Sequence, residues 1–161
     1  MKKACLFGDK NFLKNKIFNK KLHRDKITYQ YCKLKEKFKE NGYDLNTQDI
    51  SKIDESKVVI YINIPKKLPI KENIKKSYLI INECWLLKSE NFDLNKHKFF
   101  NKVFTWNDEQ ADGIKYIKYN MAHAFPKKMH QNKLNRKLLT LIASNKKLRI
   151  FSKKDLYSER E

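Results

Sequence analysis

The residues in this chain best suited to chemistry sit just past its apolar runs. Tyr78-Leu79-Ile80-Ile81 is followed by Asn82-Glu83-Cys84-Trp85, and Lys102-Val103-Phe104-Thr105-Trp106 by Asn107-Asp108. Val58 to Ile62 runs into Asn63, and Leu138 to Ala143 into Ser144-Asn145. Glu83 is the most pointed of these. A carboxylate set beside an indole at the end of a buried strand is a place where burial raises the pKa, and such a group can take a proton from a hydroxyl as a general base. The plainer alternative is that Glu83 caps a following helix or meets a lysine. For Asn107-Asp108 the corresponding alternative is a turn or a helix cap.

Other chemistries lack their residues. There is no G-x-G-x-x-G, no phosphate-loop lysine motif and no G-x-S-x-G elbow, and three glycines in 161 residues leave little room for one. Cys5, Cys32 and Cys84 are far apart and sit among apolar neighbours, which reads as buried thiols rather than metal or redox pairs. The histidines His23, His97, His123 and His130 are equally scattered. No metal constellation is expected.

Charge is the loudest compositional feature: 37 Lys+Arg against 18 Asp+Glu, for a net charge of +19. Only Arg24, Arg136, Arg149 and Arg160 are arginine. Lysine is a hydrated point charge, without the planar fork that reads guanine and phosphate. The lysines run through every segment and travel with Asn and Ile, the mark of AT-rich coding. Nucleic acid is therefore an unfavoured partner, and a dedicated polyanion or anionic-membrane surface is the alternative. At 40% hydrophobic and 12% aromatic the chain should fold. No apolar run approaches the roughly 20 residues needed to span a bilayer, and no signal peptide opens the chain. A cytoplasmic protein is expected, at most peripheral at the inner membrane face.

The elements that must position these residues follow from sparse punctuation. Lys3 to Phe7 reads as a first strand, closed by Gly8-Asp9. Residues 27–41 carry helical spacing and end at Gly42, a helix stop. Tyr43-Asp44-Leu45 reads as an edge strand. Val58 to Ile64 is β-branched and continuously apolar, as in a parallel strand covered on both faces. The runs at Tyr78 and Lys102 repeat that pattern, and Lys115 to Tyr119 alternates like an edge strand. Between them, segments of about ten or more residues suit crossover helices. This is an α/β chain with a Rossmann-like parallel sheet and flanking helices. The polar stretch 127–137 reads as a linker. Residues 138–161 read as the start of a second domain.

Several segments together resemble family 10 glycosyltransferases, the α-1,3/1,4-fucosyltransferases of bacterial type. They are Ser77 to Glu83, His97 to Glu109, Leu138 to Lys146, Asp112-Gly113 with Lys115-Tyr116, and Leu156 to Arg160, in family order. The resemblance implies half of a two-domain GT-B architecture: an acceptor-side domain over residues 1–126, then the linker, then a truncated donor domain. It implies inverting transfer of fucose from GDP-fucose to a glycan acceptor of lipopolysaccharide or other type, with no obligatory metal. On this resemblance Glu83 is the catalytic base. Asn82, Trp85, Asn107 and Asp108 would meet the acceptor, and Ser144, Asn145, Arg149 and Arg160 the donor diphosphate. The family continues past the base with a serine and a second acid, where this chain has Cys84-Trp85, so acceptor contacts should differ. With most of the donor domain absent, little activity is expected of the chain alone, unless a separate donor domain completes it. The rival class is a non-catalytic basic binding module.

Overall fold

The computed structural model describes residues 1–21 and 28–120. Six strands form one sheet: β1 (Lys2–Phe7), β2 (Tyr43–Thr47), β3 (Val58–Ile62), β4 (Ser77–Ile80), β5 (Lys102–Thr105) and β6 (Tyr116–Lys118). Their spatial order is β2-β1-β3-β4-β5-β6, and every pairing is parallel. The expected α/β parallel sheet is therefore present, with β2 and β6 at its edges.

A parallel sheet needs apolar cover on both faces, which is why β3 reads Val-Val-Ile-Tyr-Ile without a polar break. Successive side chains point to opposite faces. Cys5, Val59, Tyr61, Leu79, Ile81 and Val103 build one core with Phe100 and Ile64. Ala4, Leu6, Ile60 and Ile80 build the other with Ile17, Leu45 and Tyr31. The second face is covered by α1 (Tyr29–Glu40), the one long helix among the described residues. It stops where expected. Gly42 takes φ +80°, a conformation that favours glycine, and its N–H donates to the Lys39 carbonyl at 3.0 Å.

The crossovers depart from the expected helices. Between β3 and β4 there is a 3-10 segment, Lys71–Lys76; between β4 and β5 a 3-10 turn, Ser89–Phe92, and the four-residue α2 (Leu94–His97). Pro65 and Pro69 break the first segment, and in the second an aspartate side chain serves as a local backbone partner. Asp93 accepts from the Asn95 amide at 3.0 Å. Phe100 supplies from a tight turn the cover that a helix face would otherwise give. Cys5 and Cys32 are buried, as expected of inert thiols, and burial pushes the Cys5 thiol up to about 12. Cys84 departs from that expectation. It lies only half-buried, because it opens an exposed turn in which the Leu87 and Lys88 amides donate to its carbonyl.

Candidate functional site at the carboxyl ends of the third and fourth strands

In this strand order the direction of winding reverses at β1 and β3, and ligands of such sheets bind outside the carboxyl ends of the strands there. Asn63, the first residue past β3, takes φ +62°, unusual for any residue but glycine. Its backbone N–H still donates to the Ile80 carbonyl at 2.8 Å, so the turn comes directly off the ladder. The side chain then reaches across to β4. Asn63 Oδ1 accepts from the amides of Asn82 at 2.9 Å and Glu83 at 3.1 Å, and from Asn91 Nδ2 at 2.9 Å.

Asn91 completes the frame. It is fully buried in the turn before α2. Its Nδ2 also donates to the Glu83 carbonyl at 3.1 Å, and its Oδ1 accepts from the Ile64 amide at 2.9 Å. Beneath it lies His97, 1% exposed, with Nε2 2.8 Å from the Asn91 carbonyl and Nδ1 3.2 Å from the Tyr116 hydroxyl. A carbonyl can only accept, so Nε2 carries the proton and Nδ1 accepts from Tyr116. Burial, helped by the Lys115 charge, holds the imidazole below its usual pKa and outweighs the Asn91 carbonyl and Asp93.

From the other side, α1 contributes its first turn. The Tyr31 hydroxyl accepts from Asn82 Nδ2, and Tyr119 donates to Gln30 Oε1 at 2.7 Å. Burial pushes Tyr31 up to about 12, opposed by its hydrogen bond with Asn82 and reinforced by the Tyr119 and Glu83 charges. Tyr31 is thus a neutral hydroxyl at physiological pH. Asn82 Oδ1 is buried with no hydrogen-bond partner among the described residues. Glu83 is half-buried, and no lysine among the described residues pairs with its carboxylate. Trp85 is 47% exposed and Trp106 39% exposed, the latter edge-on to Phe92 at 6.3 Å.

Asn82 and Glu83 are therefore gathered into one hydrogen-bonded frame. Asn107 and Asp108 form a separate turn: Asn107 Oδ1 accepts from the Glu109 amide at 3.1 Å, and Asp108, its side chain 86% exposed, pairs with Lys118 at 2.5 Å. Ser144, Asn145, Arg149 and Arg160 lie outside the described residues. Sequence reasoning chose Asn63 by its place at a strand end. It missed Tyr31, which reads as a core position of its helix, and it missed Asn91 and His97, which carry no local signal. Among the described residues no group of three or more His, Cys, Asp or Glu could hold a metal ion, and no helix is long and apolar enough to cross a membrane. No protein-family model, curated protein or solved structure matches this chain, so what the site can do is read from its own residues.

Proposed function

We propose that the carboxyl edge of β3 and β4 receives a glycan acceptor, and that Glu83 is the general base of an inverting fucosyl transfer from GDP-fucose. The observation that carries this reading is Glu83 itself: a half-buried carboxylate, unpaired with lysine among the described residues, on a backbone fixed by two asparagines at a strand end. The segment resemblance to bacterial fucosyltransferases supports the reaction class. In the reaction the acceptor hydroxyl gives its proton to Glu83 while its oxygen attacks the anomeric carbon. The bond from that carbon to the diphosphate oxygen breaks, and GDP leaves with the electron pair. The exposed Trp85 face is an apolar surface on which a sugar ring can stack. Arg149 and Arg160 are the candidate charges for the departing diphosphate, a role that cations fill wherever phosphate leaves. No metal is required by this scheme.

The test is transfer from GDP-fucose to lipopolysaccharide core oligosaccharides, with calorimetric titration of GDP-fucose against an ATP control at two salt concentrations. Glu83→Gln is expected to cut transfer about 10²- to 10⁴-fold, the usual contribution of a general base, with unchanged thermal stability. Transfer by Glu83→Gln at the wild-type rate would overturn the proposal, whereas equal and salt-sensitive binding of both nucleotides would leave an acceptor-side domain without its donor site. The net charge of +19 favours one second reading, a polyanion-binding module acting at nucleic acid or an anionic membrane. Its signature is affinity for duplex DNA or anionic vesicles that falls steeply with salt, whereas sugar recognition through hydroxyls stays level.

A further inference from the structure

We infer that Asn63 is the positioning residue for Glu83, acting together with Asn91 as a clamp that fixes the direction in which the carboxylate leaves the sheet. The inference rests on the reading of Glu83 as a base and deepens it. Asparagine is one of the few residues besides glycine that readily takes φ near +60°, and at +62° Asn63 turns its side chain to use. That side chain is unusually occupied, since one amide oxygen gathers three N–H groups. Two of them are the successive backbone amides of Asn82 and Glu83. Holding both amides on one oxygen turns the peptide plane between them and so sets the Cα–Cβ vector of Glu83.

Asn91 locks the same residue from its other end, donating one Nδ2 proton to Asn63 and one to the Glu83 carbonyl. Its remaining oxygen holds the Ile64 amide, so the exits of β3 and β4 are tied through one buried side chain. Backbone N–H and C=O of Glu83 are both taken. Asn15 provides an internal control. It too has positive φ, 57°, and its Oδ1 accepts the Thr47 amide at 2.9 Å, yet it serves the end of β2, where no candidate base stands.

The experiment follows each carboxylate of the full chain by water-soluble carbodiimide coupling and peptide mass spectrometry. Glu72 and Glu90, both exposed, serve as internal references. Asn63→Gly accepts the backbone angle and removes the oxygen. It is expected to change the Glu83 coupling rate about threefold or more against both references, as local release of a hydrogen-bonded segment does. Asn63→Asp keeps an acceptor in place and should return the rate to wild type, and Asn15→Gly should leave it unchanged. Amide hydrogen exchange in the wild-type chain gives a second readout that needs no variant: the Asn82 and Glu83 amides should be protected and the Glu109 amide should exchange quickly. A Glu83 rate unmoved in folded Asn63→Gly, no rescue by Asn63→Asp, or fast exchange at Glu83 would each overturn the clamp. Transfer surviving Glu83→Gln would instead remove the base assignment and leave the clamp standing, so the two failures are separable.

Discussion

The ends of β4 and β5 begin from the same pattern and finish differently. Each strand is an apolar run followed by asparagine and an acid, and the two lie side by side in parallel register, Tyr78 beside Lys102 and Ile80 beside Phe104. At β4 the amides of Asn82 and Glu83 are taken by Asn63 from the neighbouring strand, the Glu83 carbonyl by Asn91 from the crossover, and the Asn82 side chain by Tyr31 from α1. At β5 Asn107 turns back on its own neighbours and Asp108 meets an exposed lysine. The cause is position in the sheet. β4 lies inside it, where crossovers and α1 converge, while the outer neighbour of β5 is the three-residue edge strand β6. An amide–acid pair is held in a frame where other elements close over it, and stays a turn where none does.

The strongest break of this contrast is at Asn91. Asn91→Ala removes a fully buried amide and deprives the Ile64 amide and the Glu83 carbonyl of the partners it gives them. Buried polar groups deprived of partners cost about 1–3 kcal/mol each, so a loss of about 3 kcal/mol is expected in urea unfolding. Asn107→Ala, which loses only a local turn bond, should cost less than about 1 kcal/mol. Equal losses would mean that the two strand ends are not built differently.

How much of this was legible in the sequence follows from the same contrast. The strands were, because continuous β-branched runs such as Val58 to Ile62 have few other uses, and so was the end of α1, because Gly42 supplies an angle that few residues accept. Glu83 was legible as a strand-end carboxylate. Its frame was not. Asn91 sits 28 residues from the Asn63 oxygen it donates to, and Tyr31 sits 51 residues from Asn82, so neither leaves a trace in local spacing. The crossovers were read as helices from their length, although the partners their backbones use are short side chains and tight turns. Tyr31 and His97 look like core aromatics in sequence, and packing alone decides which polar end finds a partner.

His97 gives a smaller and pH-dependent break. Its folded pKa lies below the ordinary 6.5, so the unfolded chain binds the extra proton first as pH falls. The stability it contributes is complete above about pH 6.5 and is lost progressively as pH drops from there through the folded value. Protonation also reverses the Tyr116 bond, since Nδ1 can then only donate and the hydroxyl oxygen must accept. His97→Gln keeps a donor for the Asn91 carbonyl and should cost about 1–2 kcal/mol at pH 7.5 through its altered fit. It should also flatten the difference between unfolding at pH 7.5 and pH 5.5 relative to wild type. The other three histidines are unchanged in the variant, so the difference isolates His97. An unchanged slope would mean that the frame beneath Glu83 does not depend on a neutral imidazole.

The smallest effect is expected at Asp108, and it sharpens the comparison most for its size. Asp108 pairs with Lys118 in water, and such exposed pairs contribute about 0.2–1 kcal/mol or nothing measurable. Asp108→Asn should therefore shift the melting temperature by no more than about 1–4 °C. It separates two roles for the β5 turn. If the turn is only a turn, oligosaccharide affinity stays at the wild-type value in Asp108→Asn, because the frame at β4 never touches this carboxylate. If the carboxylate meets an acceptor hydroxyl, its loss removes a charge-assisted hydrogen bond, and affinity falls about tenfold with stability unmoved. That second outcome would extend the acceptor site across β5 to Trp106. It would also show that an exposed turn at a strand end, without the closure seen at β4, suffices to recognise a ligand.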